Sequence, residues 1–242
     1  RHVAMDNISQ IQILFSDIYP SGTSENAISL GGTITCSVEY PAGTFTQIKF
    51  GGNAQGTLNN TNLVSDMTTL SVPIPVGAAF WVRNYRAGSG TNFPYSVDGL
   101  NWVYQSASGE ACDAGSTART DQTMSGSIAN NSFQNIIYRP TAILGYTTKA
   151  TFFLAGDSRT RASGSGGSLD LNYDVLGLIG ELERGFYNKG FAVINGSVSG
   201  DSYFNVTQAG VYTKRGALAA YCKIIIDNYG INDLGTGATR ST

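Results

Sequence analysis

The sequence predicts an all-β domain followed by an α/β domain: a jelly-roll-like β-sandwich over residues 1–148, then the first part of a parallel sheet covered by helices over 149–242. Three observations carry this reading. Up to about residue 148, short runs alternate apolar and polar residues with the period of two that a half-buried strand imposes, separated by Gly, Ser, Asn and Pro. From Thr151 the runs become uniformly apolar and are separated by helix-like stretches, a βαβαβ order. The change falls at residues 147–150, with no internal repeat on either side.

In the first part, the clearest strand is Thr33 to Tyr40, where Ile34, Cys36, Val38 and Tyr40 alternate with Thr33, Thr35, Ser37 and Glu39, one set buried and the other facing water. Similar runs follow at Phe45 to Phe50, Leu70 to Ile74, Ala78 to Tyr85, Leu100 to Gln105 and Phe133 to Tyr138. Many short strands between regular turn signals predict two antiparallel sheets packed face to face. Trp81, Tyr85, Phe93, Tyr95, Trp102 and Tyr104 make an aromatic-rich zone, read as core filling ahead of sugar stacking.

In the second part, Thr151 to Ala155, Phe191 to Ile194 and Lys223 to Ile226 are the three apolar strands, expected to be buried on both faces. Between the first two, Val175, Leu176, Leu178, Ile179, Leu182 and Phe186 recur at helical spacing and give one face to pack on the sheet.

Composition excludes several classes. With 41% hydrophobic residues in a chain of 242 residues, a proper core can be buried, so disorder and a disulfide-stapled mini-protein are ruled out. Fifteen Lys and Arg against seventeen Asp and Glu, with no basic run, argue against a nucleic-acid partner. No apolar run approaches the ~20 residues of a membrane span. Only 13% of residues are charged, and a neutral, hydroxyl-rich surface of this kind suggests an extracellular or virion-associated protein. Cys36, Cys112 and Cys222 lack CxxC spacing, so neither a zinc site nor a redox pair is expected. Cys222 is expected to be buried, and Cys36 and Cys112 are either bridged or free.

Each apolar strand of the second part ends in a small polar cluster: Gly156-Asp157-Ser158, then Asn195 through Asp201, then Gly230-Ile231-Asn232-Asp233. Right-handed crossovers in a parallel sheet bring the carboxyl ends of successive strands to one edge, where ligands bind. A serine hydroxyl, glycine amides and an asparagine amide meeting there are what acyl transfer needs: a nucleophile, and donors aimed at a developing oxyanion.

On these three clusters, residues 151–242 resemble the SGNH (GDSL) hydrolases. The resemblance implies a partial flavodoxin-like sheet, with Ser158 as nucleophile and its N–H, the Gly200 N–H and the Asn232 side chain as oxyanion donors. Arg159, which replaces the Leu or Ile common after the serine, and Asp201 are expected to contact substrate, while Asp157, Asp201 and Asp233 orient their turns. The family's fourth block, Asp-x-x-His, is absent, and the single histidine is His2. The expectation is therefore the front portion of a longer enzyme. A degenerate, non-catalytic relative is the next alternative, and a base lent by His2 of a neighbouring subunit the last.

The expected activity is ester hydrolysis through an acyl-enzyme, without metal or organic cofactor, with O-acetyl groups on a polysaccharide as substrate. The alternatives are a lipase or thioesterase of the same family and a carbohydrate- or receptor-binding protein, such as part of a phage tail or a secreted adhesin. Oligomeric state has no sequence signal.

Overall fold

The computed structural model describes residues 1–16, 18–21, 24–27, 32–59, 61–88, 109–113, 119–129, 139–161, 181–208 and 210–235. They form two compact units: Arg1–Tyr19 with Ala27–Thr148, and Pro20–Asn26 with the described chain from Lys149 onward. The predicted strands at Leu100 to Gln105 and Phe133 to Tyr138, and Phe93, Tyr95, Trp102 and Tyr104, lie outside the described residues.

In chain order the first strands are β1 (His2–Val3), β2 (Ile8–Ser16), β3 (Ile18–Ser21), β4 (Ser24–Ala27), β5 (Gly32–Glu39) and β6 (Phe45–Ile48). There follow β7 (Gln55–Leu58), β8 (Asn62–Val64), β9 (Thr68–Ile74), β10 (Ala79–Ala87) and β11 (Ala142–Leu144). One sheet runs β1-β10-β5-β6 with β7 also on β5; another runs β11-β2-β8 with β9 also on β2; all these pairings are antiparallel. Ile11, Ile13 and Phe15 of β2 share one core with Ile34, Cys36 and Val38 of β5, each at most 1% exposed. Burying alternate residues of two sheets against each other is what the period of two demanded.

Two features depart from the expected pattern. Strand β2 is nine residues long yet was not legible, because a register shift between Ile8 and Gln10 breaks its alternation and Leu14, on the other side from Ile13, is also 0% exposed. The face of β5 expected to meet water is covered: Thr35 is 6% and Ser37 0% exposed. The segment through Thr123 lies across it, with the Ser37 hydroxyl donating to the Thr123 carbonyl and Arg83 Nη1 donating to the Gln122 and Gly126 carbonyls, both at 3.0 Å. His2 pairs with Phe80 in the β1–β10 ladder and lies 5.5 Å from its ring. Burial, with help from Arg139, holds its imidazole pKa down at about 3, so the ring is neutral at pH 7. None of the three cysteines forms a disulfide, and Cys222 is only partly buried.

The second unit contains β12 (Thr151–Gly156), α1 (Ser158–Arg161), α2 (Glu181–Asn188) and β13 (Ala192–Asn195). It continues with α3 (Tyr203–Val206), α4 (Thr213–Ala217), a 3-10 turn at Leu218–Tyr221, β14 (Ile224–Asn228) and α5 (Ile231–Gly235). The sheet is parallel with order β13-β12-β14. Phe152 stacks on Phe186 of α2 with ring centroids 4.2 Å apart, which places this described end of the predicted helix against the sheet, while Val175, Leu176, Leu178 and Ile179 lie outside the described residues. Burial on both faces holds for the central β12, where Phe153 and Leu154 are 1% and 0% exposed, but not for β14. Ile224 and Ile225 of β14 are 39% and 59% exposed and all four residues of β13 are half-buried, since among the described residues each of these two strands has a neighbour on one side only.

Candidate active site

The turn leaving β12 is fixed by what Gly156 lacks. A Cβ there would lie 2.8 Å from Thr160 Cβ, so only glycine lets α1 fold back this tightly on the strand end. Asp157, fully buried, accepts the Arg159 N–H at 2.9 Å, an Asx turn that starts α1 at Ser158. Its other oxygen lies 3.4 Å from the Arg159 guanidinium, whose side chain is 46% exposed. Ser158 is half-buried, and its hydroxyl has no hydrogen-bond partner among the described residues. Thr160 accepts from Asn228 Nδ2 at 3.0 Å, joining this turn to the end of β14.

The second cluster continues the β13 edge beside it. Gly196 N–H donates to the Leu154 carbonyl at 2.9 Å and Val198 N–H to the Gly156 carbonyl at 3.0 Å, so the segment climbs along the end of β12. A Cβ on Gly196 would meet the Phe153 ring at 2.8 Å. Asn195 holds the turn by accepting the Ser197 N–H at 3.1 Å. Gly200 has φ +79° with open space around it, so its glycine serves the left-handed backbone. Its N–H has no acceptor among the described residues.

The third cluster closes on the second. Asn232 Nδ2 donates to the Asp201 carbonyl at 2.7 Å. An amide nitrogen carries two hydrogens, so this bond fixes the side chain and leaves the second N–H to point elsewhere. Asp233 accepts the Tyr203 and Phe204 N–H groups, both at 3.0 Å, capping α3 from across the edge. The Tyr203 phenol donates to Asp227 at 2.6 Å, which raises its pKa by favouring the protonated form.

Ser158, Gly200 and Asn232 therefore follow three strands whose carboxyl ends share one edge, with β13 and β14 on opposite sides of β12, the arrangement that opens a crevice above an α/β sheet. Of the two expected substrate contacts, Arg159 is exposed and Asp201 is not. Asp201 is 0% exposed: one oxygen accepts the Ser202 N–H at 3.0 Å and the other binds Arg215 Nη1 at 2.9 Å. It orients its loop and presents no surface to a ligand.

Arg215 and its second partner, Glu25, escaped sequence reasoning. Arg215 sits in the short α4 and is 5% exposed, and its Nε lies 3.4 Å from an oxygen of Glu25, which β4 contributes to the same unit. A lone arginine in a broken helix and a glutamate 190 residues upstream form no motif.

Chemically, the edge holds a hydroxyl without a partner among the described residues, three N–H donors at Ser158, Gly200 and Asn232, and three carboxylates already engaged: Asp157 by Arg159, Asp201 by Arg215, Asp233 by two backbone amides. Among the described residues, no three His, Cys, Asp or Glu side chains are grouped to hold a metal ion. Against known proteins, no family model and no curated protein sequence matches the chain.

Proposed function

We propose that the second unit is part of a serine esterase of the SGNH type, acting on O-acetyl groups of a polysaccharide. One observation carries the reading: the 2.7 Å bond from Asn232 to the Asp201 carbonyl, which joins the second and third clusters at the edge where β12 delivers Ser158. The order β13-β12-β14 is also how a 2-1-3-4-5 doubly wound sheet begins, with its binding crevice between the first and third strands in sequence.

In the proposed reaction, a base takes the Ser158 proton as its oxygen attacks the ester carbonyl. The oxyanion is held by the Ser158 and Gly200 N–H groups and the second Asn232 N–H. Collapse expels the alcohol with the base's proton, and water then cleaves the acyl-serine by the same route. The single histidine of the sequence, His2, belongs to the first unit, and its pKa, held down at about 3, makes it too weak a base for this role near pH 7. The reaction thus calls on a histidine this sequence does not carry. The exposed Arg159 beside Ser158 supports a short acyl group, while the exposed Phe204, Ile231 and Leu234 of α3 and α5 are the apolar surface a longer chain would need, each buried CH₂ gaining about 0.8 kcal/mol.

Imidazole in solution stands in for the base, and rates are read as the difference from the Ser158→Ala variant, which removes imidazole's own hydrolysis. The expected result is imidazole-dependent hydrolysis of p-nitrophenyl esters that peaks at acetate. Equal rates with and without Ser158 would refute the esterase, and a peak at long chains would make it a lipase. The alternative, a non-catalytic glycan- or receptor-binding protein, predicts Ser158-independent rates throughout.

A further inference from the structure

We propose that Glu25 and Arg215 are positioning residues for the esterase site, so that strand β4 is a working part of the catalytic unit. For its functional meaning this rests on the esterase reading above.

The three charged side chains involved are withdrawn from water: Arg215 is 6% exposed, Glu25 1% and Asp201 0%. A guanidinium in such a place persists only when its charge is matched. Nη1 is matched by Asp201 Oδ2 at 2.9 Å and, more weakly, by the Gly196 carbonyl at 3.4 Å. Nε lies 3.4 Å from a Glu25 oxygen, an ion pair without hydrogen-bond geometry, Nη2 has no hydrogen-bond partner among the described residues, and the Tyr212 ring lies 4.8 Å from the guanidinium carbon. Glu25 also accepts the backbone N–H groups of Lys214 and Arg215, both at 2.7 Å, so one carboxylate fixes the arginine at its backbone and faces its head.

Apart from Glu25 and the Tyr212 ring, the groups Arg215 binds belong to the segment that carries Gly200. Gly196 begins that segment and Asp201 ends it, and the Asp201 carbonyl is the acceptor on which the Asn232 amide is set. The order of support runs from Glu25 to Arg215, to Asp201, to Asn232. An oxyanion donor acts by being aimed before the charge develops. Loss of the Glu25 charge lets Arg215 shift, with it the carbonyl, and with that the second N–H of Asn232. The consequence falls on the transition state and leaves ester binding nearly untouched.

Glu25→Gln tests this, since it keeps the size and one acceptor oxygen and removes the charge. With p-nitrophenyl acetate and imidazole, the expected result is a kcat lower by about tenfold with KM within about twofold. In an Asn232→Ala background the same substitution has no further effect, because its influence travels through that amide. Glu25→Asp, which keeps the charge, recovers most of the rate. The side-chain NH₂ resonances of Asn232 give a readout that needs no turnover: two well-separated protons with a rigid heteronuclear NOE in the native chain, drawn together and mobile in Glu25→Gln. Additive losses in kcat, or an Asn232 amide indifferent to Glu25→Gln, would overturn the proposal and leave Glu25 a purely structural residue. An amide that responds while no variant shows Ser158-dependent turnover would sustain the link from Glu25 to Asn232 and remove only the esterase reading.

Discussion

The two units bury polar side chains of different kinds. In the first, the buried polar residues among those described are Thr35, Ser37, Ser65 and Thr123, all neutral hydroxyls. In the second they include Asp157, Asp201 and Arg215, gathered at one edge of a three-stranded sheet. A hydroxyl is buried at modest cost once it finds an acceptor, as Ser37 does on Thr123. Burying a charge costs several times more, and only near-ideal partners offset it. The first unit thus uses polarity to fasten a segment over a sheet, a packing task. The second buries charges beside the strand ends that lead to Ser158, Gly200 and Asn232.

Substitutions separate these tasks. The largest effect is expected from Asn232→Ala, which lowers kcat by roughly 10²–10³ with little change in KM and little loss of stability, as steady-state kinetics beside thermal unfolding will show. Next, Arg215→Ala strands the Asp201 and Glu25 carboxylates without their counter-charge and destabilises the second unit by about 3–5 kcal/mol. Denaturant unfolding followed by amide exchange resolves the units, and the first should be unaffected. Smaller again, Ser37→Ala leaves the Thr123 carbonyl short of a donor and costs about 1–3 kcal/mol in the first unit alone, with hydrolysis unchanged.

How much of this the sequence disclosed follows the same division. The β5 core face was legible because Ile34, Cys36 and Val38 alternate strictly. The burial of Thr35 and Ser37 was not, since it depends on a partner 86 positions further along the chain. Strand β2 hid behind a register shift. At the sheet edge, the three clusters could be read because each follows its own apolar strand, and β12, β13 and β14 do bring their carboxyl ends together. The exposure of Arg159 and the burial of Asp201 could not, because both residues belong to short polar clusters of the sequence and Asp201 is buried by Arg215, fourteen positions beyond it. Glu25 is the extreme case: its partners are formed entirely by tertiary contact.

The smallest effect concerns pH and the first unit. The folded-state pKa of His2 is depressed to about 3, mainly by burial, against about 6.5 when unfolded. The unfolded chain therefore binds the extra proton first, and the stability His2 contributes is complete above about pH 6.5 and lost as pH falls toward 3. With partial exposure allowed for, the first unit should lose about 1 kcal/mol between pH 7 and pH 5. The His2→Phe variant should flatten that dependence without touching the second unit, as urea midpoints at the two pH values will show.

The most direct measurement is where an acyl group lands. The protein is treated briefly with p-nitrophenyl acetate and mapped by peptide mass spectrometry. With the base supplied only weakly from solution, deacylation lags and a single acetyl group is expected on the peptide bearing Ser158, absent from Ser158→Ala and reduced in Asn232→Ala. Acetyl groups scattered over lysines, with Ser158 unmodified in the native chain, would contradict a nucleophilic serine at this sheet edge.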